Sequence, residues 1–189
     1  PVIHVEAGLR SFDRNMPEEI NRVLTDQIAS LLYTTERSAQ LNLAKEGIDE
    51  KRVHFAGNVM IDSLFAARYK AVPPAETLRQ SGINPDLIKS PAGYGVVTLH
   101  RPSNVDDPEI LCQLLTTLSM VAERLPLVFA AHPRTRKSIE KYGQASLVSS
   151  RIQLLPPQGY LEMLGLMSGA TVVLTDSGGM QEETTALSV

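Results

Sequence analysis

The sequence is poor in cysteine, in net charge and in long apolar runs. Its one cysteine, Cys112, cannot form a disulfide within the chain, and its apolar neighbours predict a buried, unreactive thiol in a reducing compartment. The 18 lysines and arginines against 21 acids give a net charge of -3, which does not favour binding to nucleic acid or to an anionic membrane. No apolar run approaches the roughly 18 residues of a membrane span, and no signal-peptide pattern is present. We expect a soluble, cytoplasmic protein whose basic groups bind a small anionic ligand.

The residues that are present predict an α/β fold. The chain has 189 residues, of which 43% are hydrophobic, enough for one sound core or two small ones. Short apolar runs alternate with longer amphipathic segments, a pattern typical of a parallel sheet. Strands are predicted at residues 1–5, 53–56, 95–99, 127–131, 152–155 and 171–175.

Proline followed by acidic residues marks the start of two helices. A proline in the first helical turn loses no hydrogen bond, and the helix dipole favours negative charge there. The first helix is predicted to begin at Pro17 and to continue through Ile28 and Leu31. The second is predicted to begin at Pro108 and to continue to Val121.

The composition divides the chain into two domains. Residues 73–94 are rich in proline and glycine and are predicted to be a linker between residues 1–72 and residues 95–189. The chain opens within a strand, without methionine, and closes soon after a helix has begun. We therefore expect an excerpt of a longer protein, with the end of one α/β domain and the first part of a second.

The strongest local signal is the segment 171–183, in which a strand ends in a glycine-rich turn that opens a helix. Such a turn presents backbone N–H groups and a positive dipole end to an anion. Ser177, Gly178 and Gly179 can therefore hold a phosphate, and Glu183 can accept the hydroxyls of a ribose. The alternative is an ordinary helix cap with solvated glutamates, and this segment alone favours neither interpretation.

Two glutamates near the first predicted strand could share acid and base chemistry. Glu6 follows that strand, where α/β proteins place functional side chains, and Glu18 begins the next helix. Two carboxylates over one cleft can remove and return a proton when their environments differ. Glu19 is interpreted as an ordinary acid of a first helical turn.

Histidines end two predicted strands of the second domain. His100 is followed by Arg101, and His132 ends the next strand. His100 could act as an acid or base near a phosphate leaving group, and Arg101 could bind that group. Together with the Ser177 turn they predict a nucleotide cleft. No metal site is predicted, because the two histidines lie on different strands without a suitably spaced third ligand.

These segments together resemble a known family, the non-hydrolysing UDP-N-acetylglucosamine 2-epimerases. The motifs that carry the resemblance occur in order along nearly the whole chain: His4-Val-Glu-Ala-Gly-Leu-Arg10, Pro17-Glu-Glu with Asn21-Arg22, Gly57-Asn58 with Ile61-Asp62, His100-Arg101-Pro102, His132-Pro133 and Asp176-Ser-Gly-Gly-Met-Gln-Glu-Glu183. The resemblance implies two Rossmann-like domains of the glycosyltransferase-B type, both incomplete in this chain. It also implies a homodimer that functions in cell-surface polysaccharide biosynthesis.

The resemblance implies interconversion of UDP-N-acetylglucosamine and UDP-N-acetylmannosamine. UDP is eliminated to give a 2-acetamidoglucal and is then added back with inversion at C2, with no metal or redox cofactor. By motif, Glu6, Glu18 and His100 correspond to catalytic residues of the family. Ser177, Gly178, Gly179, Glu183, Arg101 and His132 correspond to substrate-binding residues.

The sequence departs from the family mainly in motifs that it lacks. An N-terminal Gly-Thr-Arg-Pro-Glu motif, a Gly-Asp-Thr motif with a further catalytic aspartate, and a later loop with arginine and glutamate are not in these residues. We therefore expect the fragment alone to be inactive. His100-Arg-Pro in place of His-Arg-Arg argues against activation by the enzyme's own substrate. Two alternatives stay open: a hydrolysing epimerase that releases UDP, and a catalytically inert nucleotide-sugar-binding fragment.

Overall fold

The structure, a computed structural model, describes residues 1–148 and 150–189 and divides into two compact units. The first unit is Pro1–Ser63 and the second is Leu64–Val189. Both contain parallel sheets, so the predicted α/β class is confirmed. No helix within the described ranges is long and apolar enough to cross a membrane.

The first unit is built on a parallel sheet of three strands, in the order β1 (Ile3–Val5), β2 (Leu31–Thr34) and β3 (Val53–Phe55). Its core contains Ala7, Ala29, Leu32 and Leu43, which are all buried. The elements of this unit are β1 (Ile3–Val5), α1 (Pro17–Ile28), β2 (Leu31–Thr34), α2 (Arg37–Lys45) and β3 (Val53–Phe55), and α3 (Val59–Ala67) begins within it.

The central strand of this sheet, β2, is not among the predicted strands, and the prediction that the first helix continues through Leu31 is wrong. Helix α1 begins at Pro17 as predicted but ends at Ile28, because Ala29 already has an extended backbone with φ -69° and ψ 137°. Leu31 therefore lies in β2 and pairs with Ile3. Short apolar runs fit a buried helix and a buried strand equally well by periodicity, so the pattern alone could not separate them.

The second unit contains a parallel sheet with the strand order β6 (Ile152–Leu155), β5 (Leu127–Ala130), β4 (Gly95–Thr98) and β7 (Val172–Thr175). The four strands predicted in this unit coincide with observed strands, and a helix begins at Pro108 as predicted. The elements of this unit are α4 (Pro74–Gln80), β4 (Gly95–Thr98), α5 (Pro102–Val105), α6 (Pro108–Ala122), β5 (Leu127–Ala130), α7 (Pro133–Lys141), β6 (Ile152–Leu155), α8 (Tyr160–Ser168), β7 (Val172–Thr175) and α9 (Gly178–Leu187).

Apolar clusters cover both faces of this sheet. Val97 and Phe129 join one cluster, together with leucines of α6. Val96 and Val128 join the other, to which Leu78 of α4 belongs. Alternate residues of a strand point to opposite faces, so the sheet is packed on both sides, as parallel sheets are. The segment 73–94 thus contributes a helix and a buried leucine to the second unit.

Cys112 lies on α6 and is half-buried, rather than fully buried as expected.

Candidate functional site

The strand order of the second unit locates its functional edge. From β4 the chain proceeds through β5 to β6, and it then returns to place β7 on the other side of β4. Ligands of such sheets bind at the carboxyl ends of the two strands where the direction reverses. Those strands are β4, which leads to His100 and Arg101, and β7, which leads to Asp176 and Ser177.

Asp176 joins these two strand ends. One of its carboxylate oxygens accepts hydrogen bonds from the backbone N–H of Arg101 at 2.8 Å and from the Asn104 side chain at 3.0 Å. The same oxygen accepts the backbone N–H of His100 at 3.0 Å. The other oxygen lies 2.7 Å from His100 Nδ1. The loop after β4 is therefore fixed to the residue that precedes the Ser177 turn.

The hydrogen bonds keep Asp176 ionised. Burial of the Asp176 carboxyl by itself raises its pKa, but the N–H groups of Arg101 and His100, the Asn104 amide and the imidazole of His100 outweigh burial. The pKa of Asp176 consequently lies below its ordinary value.

A cavity of about 210 Å³ opens at the same edge of the sheet. Its lining combines polar groups with apolar side chains, as small-molecule sites do. The lining residues include Leu99, His100, His132, Met163, Ser177 and Met180. The structure therefore brings His100, His132 and Ser177 together around one cavity, as the sequence analysis expected of a nucleotide cleft.

Ser177 is the N-cap of helix α9. Its hydroxyl accepts the backbone N–H of Met180 at 3.4 Å, which favours the helix-cap interpretation of this serine. Gly178 and Gly179 form the start of the helix, where backbone N–H groups have no acceptor within the helix. A side chain added at Gly178 would meet no heavy atom within 4 Å. The space beside the Cα atom of Gly178 is therefore open.

The remaining predicted binding residues occupy the same unit. Glu183 lies on α9 and accepts a hydrogen bond from the Tyr160 hydroxyl at 3.2 Å. Arg101 is exposed and directly precedes the first residue of α5, to which its side chain makes no capping hydrogen bond. His132 caps α7 through its Nδ1 atom, which accepts the backbone N–H of Arg134 at 3.2 Å.

The candidate carboxylates Glu6 and Glu18 lie in the first unit, at either end of the loop that joins β1 to α1. Glu6 follows β1 directly and has a φ of +65°, in the left-handed region that few residues other than glycine adopt. Gly8 follows with a φ of +79°, and a Cβ atom there would approach the Ala39 carbonyl oxygen to 2.6 Å. The turn that carries Glu6 is thus packed tightly against helix α2.

A buried ion network holds this turn. Asp26 of α1 accepts the backbone N–H of Gly8 at 3.1 Å and a hydrogen bond from the Arg10 guanidinium at 2.7 Å. Its other oxygen lies 2.5 Å from His4 Nδ1. Arg10 also binds Glu46 through two nitrogens at 2.7 Å. The Glu46 carboxylate raises the pKa of Arg10 above its ordinary value, although burial of the guanidinium acts in the opposite direction.

Glu19 has a structural role that the sequence analysis missed. It is buried, whereas Glu18 beside it is exposed. Its carboxylate accepts the backbone N–H groups of Ser11 and Phe12 at 2.9 and 3.0 Å. Burial raises the pKa of Glu19, but these two N–H groups, the Ser11 hydroxyl and the charge of Arg10 together outweigh burial and lower it below its ordinary value of 4.5. The interpretation of Glu19 as an ordinary helix-start acid is therefore wrong.

Three acids that organise the site regions were thus not singled out from the sequence: Glu19, Asp26 and Asp176. The first two lie seven positions apart on one helix, a spacing that places them on one face and could have indicated a shared role. Asp176 belongs to the motif 176–183, in which the predicted ligand-binding residues are Ser177, the two glycines and Glu183.

Comparison with known proteins gives the same family for the whole chain. A family model described as UDP-N-acetylglucosamine 2-epimerase matches residues 1–189. The UDP-N-acetylglucosamine 2-epimerase of Methanococcus maripaludis is 40% identical over 98% of this chain and 51% of its own length. The UDP-2,3-diacetamido-2,3-dideoxy-D-glucuronate 2-epimerase of Pseudomonas aeruginosa is 41% identical over 97% of this chain and 48% of its own length. The chain spans about half the length of these relatives.

Solved structures agree on the fold. The UDP-GlcNAc 2-epimerase of Methanocaldococcus jannaschii in complex with UDP-GlcNAc and UDP is 38% identical, with a TM-score of 0.76, over 100% of this chain and 51% of that one. WaaG, a glycosyltransferase of lipopolysaccharide biosynthesis, matches with a TM-score of 0.53 at 13% identity, which shows the fold alone. The expected glycosyltransferase-B type of α/β fold is confirmed. The family match over residues 1–189 and the epimerase relatives together show that this chain belongs to the UDP-N-acetylglucosamine 2-epimerase family.

Proposed function

We propose that the full-length protein, meaning the complete reading frame that includes these residues, interconverts UDP-N-acetylglucosamine and UDP-N-acetylmannosamine. The observation that carries the proposal is the match of residues 1–189 to the epimerase family. The cavity between His100, His132 and the Ser177 turn supports it, because it lies at the sheet edge where nucleotides bind in α/β folds.

In this proposal the second unit binds UDP. The backbone N–H groups of Gly178 and Gly179 and the Ser177 hydroxyl hold the diphosphate at the start of α9. Glu183 accepts the ribose hydroxyls, in an arrangement supported by its contact with Tyr160. His132 lines the cavity, Arg101 binds UDP from the exposed loop after β4, and His100 stabilises the negative charge that develops on UDP as it leaves.

The first unit supplies the carboxylates. One of Glu6 and Glu18 removes the C2 proton, the electrons of that bond form the C1–C2 double bond, and the C1–O bond breaks to release UDP. Returning a proton to the other face of C2 while UDP adds back to C1 gives the epimer. Both bonds that break are thereby re-formed, so the cycle is balanced without an oxidant or a reductant. General acid and base groups contribute roughly 100- to 10,000-fold to such steps.

The family places further expectations on the whole protein. We propose that residues 1–72 and 95–189 belong to two different domains, that residues 73–94 connect them, and that the protein is a cytoplasmic homodimer. We propose no metal or redox cofactor, since proton transfer and the departure of UDP account for the reaction.

One comparison introduces a second candidate substrate. The relative from Pseudomonas aeruginosa is named for a diacetamido uronate sugar and is 41% identical, against 40% for the relative from Methanococcus maripaludis. Identity therefore does not separate the two substrates. The chemistry at C2 is shared, and the substituents at C3 and C6 distinguish them.

The test is to follow UDP-N-acetylglucosamine with the full-length protein by proton NMR in deuterated water. We expect the manno epimer to appear with deuterium at C2 and with little free UDP. Free UDP that accumulates as substrate is lost would instead establish the hydrolysing activity. No exchange at C2 with this substrate or with the diacetamido uronate would leave a nucleotide-sugar-binding protein and would overturn the proposed activity.

A further inference from the structure

We propose that Asp176 is a positioning residue for His100, which it holds with a proton on Nδ1 and with Nε2 free to act on the ligand. This inference rests on the proposed function and deepens it, because it assigns a role to a residue that the family resemblance left without one. The observation that carries it is the 2.7 Å separation between His100 Nδ1 and an Asp176 carboxylate oxygen.

The carboxylate cannot easily turn away from the imidazole. One of its oxygens accepts three donors, the backbone N–H groups of His100 and Arg101 and the Asn104 amide. These bonds fix the plane of the carboxylate. Its second oxygen also accepts the His100 backbone N–H, at 3.2 Å, and lies closer to His100 Nδ1, at 2.7 Å. The side chain of Asp176 is only 7% exposed, whereas that of His100 is 49% exposed. The buried partner is therefore fixed and the exposed partner is left accessible.

The pairing sets which imidazole nitrogen carries the proton. An ionised carboxylate only accepts hydrogen bonds, so the Nδ1 atom that faces it must be the donor in neutral histidine. Nε2 then has a free lone pair, and on protonation it becomes a donor. His132, which lines the same cavity, differs, because its Nδ1 accepts the backbone N–H of Arg134. The two cavity histidines are thus held in opposite tautomers.

Asp176 also places this histidine relative to the phosphate turn. It stands between the last residue of β7 and the helix cap Ser177. Across the two strands, the Thr98 and Thr175 hydroxyls lie 2.7 Å apart. One side chain therefore fixes the imidazole to the turn that is proposed to hold the diphosphate of UDP.

The substitution Asp176→Asn tests this role. The amide oxygen can keep the three donors at one side of the group, while the amide nitrogen then faces His100 Nδ1 and gives up only the longer contact with the His100 backbone N–H, at 3.2 Å. Because an NH₂ group only donates, His100 must move its proton to Nε2. We expect kcat of the full-length protein to fall about 100-fold or more, since an acid or base in the wrong tautomer loses its contribution. The Kd for UDP should change by less than about 3-fold.

The tautomer is read directly in histidine-labelled protein from two-bond proton–nitrogen correlations, with His100→Gln to assign the signal. We expect Nδ1–H in the wild type and Nε2–H in Asp176→Asn. Asp106→Asn is the matched control, because Asp106 is an exposed acid of the same unit that pairs with Arg134. It should change neither the tautomer nor kcat.

The outcomes separate this inference from the proposed function. A wild-type His100 with its proton on Nε2 would overturn the inference without any variant. A tautomer that changes while kcat stays the same would also overturn it, because Asp176 would then be only structural. If the wild type has no epimerase activity, the proposed function fails, and the nitrogen spectra still decide whether Asp176 sets the tautomer.

Discussion

The loop after β1 and the loop after β4 are held by the same kind of hydrogen bond, but the groups around these bonds are buried to different extents. In each, a carboxylate accepts backbone N–H groups of the loop: Asp26 and Glu19 in the first unit, and Asp176 in the second. Asp26 and its partner Arg10 are fully buried, with side chains 0% and 1% exposed. The partner of Asp176 is the half-exposed His100. The first loop is therefore built for fixed geometry, and the second keeps its titratable group within reach of a ligand.

Two residues of the first loop have unfavourable backbone conformations. Glu6 and Phe12 have φ values of +65° and +60°, which cost roughly 1 to 2 kcal/mol for each residue other than glycine. Such conformations persist only where the surroundings impose them, and they concentrate at functional sites. Asp26 and Glu19 anchor the loop close to these two positions, which is consistent with the proposed catalytic role of Glu6.

Removing Asp26 should have the largest effect on stability. In Asp26→Ala the buried Arg10 loses one of its two carboxylate partners and Gly8 loses its acceptor. We expect the first unit to lose about 3 to 5 kcal/mol, as when one partner of a buried ion pair is removed. Native-state hydrogen exchange in β1 to β3 of the full-length protein measures this loss.

The control for that experiment is Glu50→Ala, which removes an exposed acid of the same unit. It should change stability by less than about 0.5 kcal/mol. A loss below about 1 kcal/mol in Asp26→Ala would contradict the comparison, since the buried network would then not be what holds the first loop.

Glu19→Gln should have a smaller, pH-dependent effect. The pKa of Glu19 is lower in the folded protein than its ordinary 4.5, so its charge stabilises the fold above that pH and loses this effect as the pH falls. We expect the variant to be about 1 to 2 kcal/mol less stable at pH 7, since the hydrogen bonds to a charged group are replaced by weaker ones. The same hydrogen-exchange measurement should show a smaller difference in stability between wild type and variant below pH 4 than at pH 7. A difference in stability that does not change with pH would show that the charge of Glu19 does not stabilise the fold.

The sequence predicted the elements whose signals are local. Pro17 and Pro108 marked helix starts because the first helical turn tolerates proline, and the β-branched and apolar runs of β4 to β7 marked strands. The missed strand β2 follows α1 after two residues, and its short apolar run has no period of its own. Its assignment depends on pairing with β1, which is a contact distant in sequence.

The candidate site was predictable to a similar degree. His100, His132 and Ser177 could be placed at one edge because the ends of parallel strands meet there. The partners of those residues could not, because Asp176 reaches a loop more than 70 positions away and Asp26 reaches back to His4 and Gly8. Both carboxylates accept hydrogen bonds from backbone N–H groups. Every residue except proline has such a group, so no pattern of side chains in the sequence predicts these partners.

The central claim is that the first loop performs the proton chemistry and the second unit binds the nucleotide. It is tested most directly by measuring C2 deuterium exchange and UDP binding for Glu6→Gln and Glu183→Ala in the full-length protein. We predict that Glu6→Gln, which keeps the volume but removes the base, abolishes exchange and changes the Kd for UDP by less than about 3-fold. Glu183→Ala should weaken UDP binding about 10-fold or more and retain exchange at saturating substrate. Undiminished exchange in Glu6→Gln, or unchanged UDP binding in Glu183→Ala, would contradict this division.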